Sequence, residues 1–249
     1  MNPGARAPKP RVALFVTCLG DQFFPQVGES VVRVLRRLGV EVTFNPAQTC
    51  CGQPAFNTGY RQEARRVAAR VLDLFEDADY VVAPSGSCTS MVRVFYPELF
   101  AGDPERLRQA EKLRSRFLEF SEFLVNILKV EEVGASFPHR VAYHDSCHLL
   151  RELRVETEPR KLIRGVRGVE FLELQDHQLC CGFGGTFAVK FPEVSVAMAE
   201  DKLRAVAASG AEYLVANDSS CLMHLGGLIH RQGLPLRIMH LAELLAKQE

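Results

Sequence analysis

The chain has 249 residues, of which 47% are apolar and 24% are charged, a composition ordinary for a globular protein with a full core. Its 30 basic and 30 acidic side chains cancel, and nothing in the sequence suggests a nucleic-acid-binding surface or an acidic tail. No apolar run reaches the ~18 residues that a transmembrane helix needs, and residues 1–11 lack the apolar core of a signal peptide. We therefore expect a cytoplasmic protein, in a compartment where cysteines more often bind metal or react than form structural disulfides.

The first half of the chain alternates between strand and helix patterns. A continuous apolar run at residues 11–18 predicts a strand that is buried on both faces. Apolar residues at helical spacing follow, and Gly39 ends that helix. Two more strands are predicted at residues 40–45 and 80–88, with a helix at 64–75 between them. This β-α-β-α-β order predicts a parallel sheet with right-handed crossovers.

The second half repeats this plan after a long helix predicted at residues 105–129 and a linker at 131–138. Its predicted elements are strands at 140–147, 168–174, 213–221 and 235–240, helices at 149–163 and 193–209, and a short Leu-rich helix at the end. We therefore expect an α/β protein with two similar Rossmann-like halves, related by a pseudo-twofold duplication. The predicted domains are residues 11–130 and residues 139–246.

All the cysteines belong to one repeated pattern, in which a single cysteine, an adjacent Cys-Cys-Gly and a last cysteine follow one another. The first copy consists of Cys18, Cys50, Cys51 and Cys88, and the second of Cys147, Cys180, Cys181 and Cys221. Equivalent cysteines are 129, 130, 130 and 133 residues apart. Each cysteine position follows a predicted strand, and ligands bind at that edge of open parallel sheets. The pattern therefore predicts two metal-sulfur sites, one in each half.

Thiolate ligands favour zinc, copper(I) or an iron-sulfur cluster over hard cations. Zinc sites usually use cysteines separated by two to four residues, whose sulfurs converge on one ion. Adjacent cysteines direct their sulfurs apart and are better suited to different irons of one cluster. Four cysteines fit a [2Fe-2S] or a [4Fe-4S] centre, and we expect the [4Fe-4S] form in one or both halves. The alternatives are structural zinc, which would make the chain a binding or assembly module, and a metal-free thiol-disulfide redox site.

The duplicated pattern also carries a resemblance. Together with His-Asp-Ser-Cys-His at residues 144–148, Cys-Cys-Gly-Phe-Gly-Gly at 180–185 and Ser-Ser-Cys-Leu at 219–222, it resembles the CCG cysteine-rich domain family over residues 11–246. This family includes the cysteine-rich subunit of heterodisulfide reductase and the iron-sulfur subunit of glycolate oxidase. The short two-repeat form, which has no ferredoxin domain, is most similar to members that act in lactate utilization.

The resemblance implies a subunit of a cytoplasmic multi-protein oxidoreductase system that oxidises L-lactate to pyruvate. It implies that the eight cysteines are cluster ligands, and that a ferredoxin-like iron-sulfur protein is among the partners. No flavin or nicotinamide motif is visible in the sequence, so we expect no activity on lactate from the chain alone.

Two positions depart from the fuller motif of the family, which ends in Cys-x-x-Cys and so supplies a fifth thiol. Met91 and His224 occupy those positions, which argues against a five-thiol cluster and against heterodisulfide chemistry. His224 is itself a candidate metal ligand, or a residue that caps a helix.

The histidines add an asymmetry, since all seven lie after residue 138. His148, next to Cys147, is a candidate catalytic residue, either as a proton carrier or as a donor that tunes the sulfur. Arg151 is a candidate clamp for a substrate carboxylate, although most basic runs are solvated helix faces. The glycines that follow Cys181 do not match a nucleotide loop and instead favour a close approach of backbone amides to sulfur. We therefore expect the active centre at the second cysteine set.

Overall fold

The structure of the protein, a computed structural model, describes residues 10–248 and contains two four-stranded parallel sheets. The strands are β1 (Arg11–Leu14), β2 (Glu41–Phe44), β3 (Tyr80–Ala83), β4 (Phe117–Glu119), β5 (Arg140–His144), β6 (Glu170–Leu172), β7 (Tyr213–Ala216) and β8 (Arg237–His240). They follow the order β2-β1-β3-β4 in the first sheet and β6-β5-β7-β8 in the second. The repeated order confirms the predicted α/β fold with two similar halves. Residues 1–9, where we expect no signal peptide, lie outside the described residues.

Helices connect these strands and cover the sheets. In the first half they are α1 (Cys18–Phe23), α2 (Pro25–Arg37), α3 (Gln53–Asn57), α4 (Arg61–Leu74), α5 (Gly86–Ser90), α6 (Tyr96–Leu99), α7 (Pro104–Arg114) and α8 (Phe120–Glu122). In the second they are α9 (Cys147–Arg151), α10 (Thr157–Arg164), α11 (Thr186–Lys190), α12 (Pro192–Ser209), α13 (Ser219–Gln232) and α14 (Leu241–Ala246). The π-helical turns π1 (Met91–Phe95) and π2 (Phe123–Ile127) continue α5 and α8. Within residues 10–248 no helix has the length and apolar character that crossing a membrane requires.

Polar caps start several of these helices at the carboxyl ends of the strands. Thr17 accepts a hydrogen bond from the Gly20 amide at the start of α1, at 3.1 Å. Ser85 accepts one from the Cys88 amide at the start of α5, also at 3.1 Å. Both caps satisfy amides that have no partner within the helix, and both place a cysteine in the first helical turn.

A shared core joins the two halves. Val31 of α2 and Leu244 of α14 are both fully buried in it, and these two helices pack on each other. Arg37 closes the contact by donating hydrogen bonds to the carbonyl oxygens of Leu245 and Ala246, at 3.2 and 3.1 Å. Each half has in addition an outer core of its own between its sheet and its helices.

The predicted extents of two helices are wrong. Residues 105–129 contain α7, β4, α8 and π2, because the buried segment Phe117–Glu119 pairs in parallel with β3 as a fourth strand. Residues 149–163 divide into α9 and α10, since Arg154 between them has a φ of 57°, which α-helices do not tolerate. The predicted linker lies between the sheets, but Val133 and Phe137 within it are buried in the shared core. The helix predicted at residues 193–209 is confirmed as α12.

Candidate metal-sulfur site

Both cysteine sets line one cavity of about 380 Å³ between the two halves. The carboxyl ends of both parallel sheets open into it, as expected for ligand sites in open α/β folds. The cysteines that line it are Cys18, Cys50, Cys51 and Cys88 from the first half and Cys147, Cys180, Cys181 and Cys221 from the second. We expected one site in each half, and the structure brings the two sets together at their boundary.

The sulfurs of the first set form two close pairs. The Sγ of Cys18 lies 3.5 Å from that of Cys50, and the Sγ of Cys51 lies 3.3 Å from that of Cys88. The adjacent Cys50 and Cys51 are hydrogen-bonded to each other as well, so the two pairs are joined in one group of four sulfurs. Cys51 and Cys88 are buried, whereas Cys18 and Cys50 are partly exposed to the cavity.

The second set repeats this pairing. Cys147 is hydrogen-bonded to Cys180 and Cys181 to Cys221, and the adjacent Cys180 and Cys181 are hydrogen-bonded to each other as well. Cys181 and Cys221 are again the buried pair. All of these cysteines are free thiols, as they are in the first set.

Hydrogen bonds between the thiols prepare one thiolate in each set. Cys50 accepts from Cys18, which lowers the pKa of Cys50 to about 3 and raises the pKa of Cys18. Cys180 accepts from Cys147, which lowers the pKa of Cys180 to about 2 and raises the pKa of Cys147. Each acceptor sulfur also lies 3.4 Å from the backbone amide two residues further on. The thiolate is the form that binds a metal, so both sets are prepared for one at neutral pH.

The surroundings of the two sets differ in polarity. Lys202 of α12 is buried behind the second set, where it donates to the carbonyl oxygens of Asp176 and His177 at 3.2 and 2.8 Å. Burial lowers the pKa of its ammonium group to about 8. The duplication puts Leu72 at the equivalent position of the first half, where it belongs to the apolar outer core. The second set therefore lies in a more polar environment than the first.

His148 lies where its predicted role requires, on the wall of the cavity. Its Nδ1 is 2.8 Å from Oε2 of Glu152. Burial by itself would lower the pKa of His148, but the hydrogen bond and the negative charge of Glu152 outweigh it, so that the pKa is raised. A proton on this imidazole is therefore stabilised next to the second cysteine set. Its catalytic role stays a prediction.

The other two candidates point elsewhere. His224 of α13 is 3.1 Å from the Ser195 hydroxyl through Nε2, and it is not among the cavity-lining residues. Arg151 donates to the carbonyl oxygen of Gln178 at 3.2 Å, in the segment before the second Cys-Cys pair, and it does not line the cavity either. Neither residue is brought to the thiols as a ligand or as a clamp for a substrate.

Two residues at the site were not singled out from the sequence. The His144 imidazole is fully buried, and one of its nitrogens lies within 4.8 Å of the Sγ atoms of Cys181 and Cys221. Asp218 accepts hydrogen bonds across the boundary from the hydroxyls of Ser85 and Ser87, at 2.6 and 2.7 Å. The internal duplication could have indicated both residues. His144 stands where the first half has Phe15, and Asp218 stands where it has Ser85.

The residues at the cavity fit a metal-sulfur group. The sulfur separations of 3.3 and 3.5 Å in the first set approach the ~3.8 Å between two thiolates on one tetrahedral ion with metal–sulfur bonds of ~2.3 Å. Gly182 has a φ of 84°, and a Cβ there would lie within 3.0 Å of the Ser195 carbonyl oxygen. Only glycine lets this loop turn so tightly next to the sulfurs. Two pairs of thiolates in each half suit zinc and also a Cys₄ iron-sulfur cluster.

Comparison with known proteins agrees with this arrangement. Residues 12–93 and 141–226 both match the cysteine-rich domain family CCG. Lactate utilization protein A of Exiguobacterium sp. is 49% identical over 238 residues, which cover 95% of this chain and 97% of the relative. Lactate utilization protein A of Bacillus subtilis is 46% identical over 235 residues, which cover 94% and 98%.

A solved structure shows the same fold. A hypothetical protein from Helicobacter pylori superimposes with a TM-score of 0.68 at 14% sequence identity, over 98% of this chain and 50% of its own. The repeated family match and the near-complete alignment with curated relatives lead to one conclusion. The chain belongs to the cysteine-rich CCG domain family, in the group of its relatives that are named lactate utilization protein A.

Proposed function

We propose that the chain is an iron-sulfur redox subunit of a cytoplasmic multi-protein system that oxidises L-lactate to pyruvate. The observation that carries the proposal is the cavity in which two sets of four thiols meet. The names of the relatives supply lactate as the substrate of the system. The expected cofactor is a [4Fe-4S] cluster in one or both sets, held by Cys147, Cys180, Cys181 and Cys221 and by Cys18, Cys50, Cys51 and Cys88.

A bound iron-sulfur cluster would let the chain accept and release single electrons. The backbone amides that follow Cys50 and Cys180 point at sulfur, and such hydrogen bonds tune a cluster's reduction potential. The hydrogen bond to Glu152 raises the pKa of His148 and so favours a proton at the cavity wall. Oxidation of L-lactate to pyruvate releases two electrons and two protons, and the sequence shows no flavin or nicotinamide motif. A partner subunit therefore takes the electrons from lactate first.

Exposed apolar side chains near the cavity support a partner at this end of the molecule. Val189 lines the cavity and is 80% exposed, and Phe191 and Val194 beside it are more than half exposed. Apolar groups that cluster at the surface commonly mark a contact with another protein. We propose that the partners are the other subunits of the lactate system, including a ferredoxin-like iron-sulfur protein.

Metal and sulfide analysis of anaerobically purified protein, with optical and EPR spectra, tests the cofactor. We expect iron and acid-labile sulfide in near-equal amounts, and an EPR signal on reduction. Replacing Cys18 and Cys50 by serine removes one set, and replacing Cys147 and Cys180 removes the other, so each double variant is the matched control for its counterpart. If both sets bind clusters, each variant loses about half of the iron. Stoichiometric zinc without iron or sulfide contradicts the proposal.

Structural zinc is the second candidate, because the paired sulfurs fit a tetrahedral ion as well. It would make the chain an assembly module, and a metal-free thiol-disulfide protein is the third candidate. The metal and sulfide analysis separates these two candidates from the first, and complementation tests the role in lactate use that the proposal assigns. In a Bacillus subtilis strain without its lactate utilization protein A, the chain should restore growth on L-lactate, and both double serine variants should be compared with it. The purified chain alone should not oxidise lactate, and turnover without partners would contradict a subunit role.

A further inference from the structure

The environment of His144 points to a role that its sequence neighbours do not reveal. The side chain extends from the end of β5 and is fully buried, yet neither ring nitrogen makes a hydrogen bond. Burying an imidazole with both nitrogens unpaired is unfavourable, since it has lost its water and gained no partner. Buried polar groups of this kind are rare in native proteins, and an ion that binds there would satisfy the ring.

The nearby donor atoms are sulfurs. One ring nitrogen of His144 and the Sγ atoms of Cys181 and Cys221 all lie within 4.8 Å of one another, and all three residues are buried. A thiolate and a neutral imidazole are both ligands of zinc and of iron in proteins.

The first half has no counterpart of this histidine. Phe15 stands three residues before Cys18, as His144 stands three residues before Cys147. The Phe15 ring is buried in the same outer core as Cys51 and Cys88, so an apolar ring lies where the second half has an imidazole. His224, which the sequence indicated as a candidate ligand, is instead paired with Ser195.

We propose that His144 is a metal ligand of the second cysteine set, which gives this set a mixed imidazole and thiolate donor group. The first set has thiolates alone. The inference rests on the proposed function, because it needs a metal-sulfur centre at the second cysteine set. The role of His144 as a ligand is the same whether that centre is an iron-sulfur cluster or a zinc ion. With His144 the set offers five donors to a cluster that has four ligand positions, so the imidazole would take the place of one of the four thiolates. The reduction potential then rises, because a neutral ligand replaces a negative one. The second centre would then have the higher potential of the two and would be reduced first.

The test is pulsed EPR on the reduced wild-type protein. Two preparations are compared, one from cells supplied with natural histidine and one from cells supplied with ¹⁵N-labelled histidine. We expect a nitrogen coupling that changes with the label. The coupling should disappear in His144→Phe, which copies the first half, and persist in His224→Gln, the matched control on α13. In His144→Cys we expect the cluster to form and its reduction potential to fall, since a thiolate then replaces the imidazole.

The wild-type measurement needs no variant, so a variant that fails to fold does not block the test. Absence of a histidine coupling in the wild type, or a coupling that persists in His144→Phe, overturns the proposal. If the protein contains zinc and no iron, the proposed redox function fails, but this inference is still tested. Co²⁺ substituted for zinc then serves as the probe, and its absorption bands should shift in His144→Phe and not in His224→Gln. Unchanged bands in His144→Phe overturn the proposal in that case.

Discussion

At the scale of single residues, the two halves share one backbone fold but differ in the side chains that surround their cysteine sets. Equivalent positions behind the two cysteine sets hold Phe15 and His144, and Leu72 and Lys202. The apolar member of each pair packs in the outer core of the first half. The polar member is buried next to the second set. Differences in reactivity between the sets therefore arise from side chains behind the cysteines, since the cysteines themselves are duplicated.

Glu119 makes a pH dependence measurable at the boundary between the halves. It is fully buried at the end of β4, and this burial raises its pKa to about 7 from an ordinary 4.5, against opposing hydrogen bonds from Ser121 and Asn217. The folded protein therefore binds this proton more tightly than the unfolded chain does. The contribution of this proton to the free energy of unfolding is fully present below about pH 4.5 and is lost as the pH rises through about 7. The pKa shift of Glu119 thus changes the free energy of unfolding by about 3 kcal/mol over this pH range.

We expect the melting temperature to fall between about pH 5 and about pH 8, and to fall less in Glu119→Gln, which cannot ionise. Thermal unfolding followed by circular dichroism measures both slopes. Glu41→Gln, at an exposed position of β2, is the matched control and should keep the slope of the wild type. Equal slopes in wild type and Glu119→Gln would show that this carboxyl does not control the pH dependence.

At the scale of elements, the loop after each Cys-Cys pair depends on a glycine. Gly182 and Gly52 both have positive φ, and a Cβ at Gly182 would lie within 3.0 Å of the Ser195 carbonyl oxygen of α12. At Gly52 the nearest atom, the Ala64 carbonyl oxygen, is 3.3 Å away. The second loop thus packs more tightly against α12 than the first loop packs against α4.

Gly182→Ala should be severely destabilising. The left-handed backbone costs ~1–2 kcal/mol for a residue with a Cβ, and the overpacking against α12 adds ~1–3 kcal/mol. Gly59→Ala is the matched control, since Gly59 also has positive φ but no atom within 4 Å of the added Cβ, so that only the backbone term applies. Denaturant unfolding gives both free energies of unfolding. If Gly182→Ala loses no more free energy of unfolding than Gly59→Ala, the loop moves away from the Ser195 carbonyl oxygen without an energetic penalty, and the prediction is wrong.

The sequence predicted most elements well, because buried parallel strands and amphipathic helices have distinct patterns. It missed β4, since three strand residues between two helical segments do not interrupt an apolar stripe. The duplication held the missing signal, because residues 235–240 predicted a fourth strand in the second half. The sequence pattern predicted that the cysteines lie at strand ends. Their convergence on one cavity, however, depends on how the two halves pack. That packing comes from contacts such as α2 on α14, which a local pattern does not report.

At the scale of the whole molecule, the boundary between the halves is both core and site. On one side it consists of the shared apolar core. On the other it is polar, where Asp218 accepts from Ser85 and Ser87, and His240 lies 3.1 Å from the Pro84 carbonyl oxygen and 3.0 Å from that of Asn217. The geometry of the cavity is thereby coupled to the stability of the entire chain.

We therefore expect the metal-free protein to unfold in a single cooperative transition, although its fold is duplicated. Neither half retains the shared core once the other unfolds, so neither has a stable folded state of its own. Leu113→Ala changes the outer core of the first half, Leu225→Ala that of the second, and Leu244→Ala the shared core. Each should lower the free energy of unfolding by about 2–5 kcal/mol and shift the same transition.

Differential scanning calorimetry under reducing conditions checks this expectation, because the calorimetric and van't Hoff enthalpies agree only for a two-state transition. Two resolved transitions, with Leu113→Ala shifting one and Leu225→Ala the other, would contradict it and would indicate that residues 11–130 and 139–246 are independent domains. A single transition has a consequence for the site as well. A metal bound by either cysteine set would then stabilise both halves, since a ligand of the native state alone stabilises whatever unfolds with it.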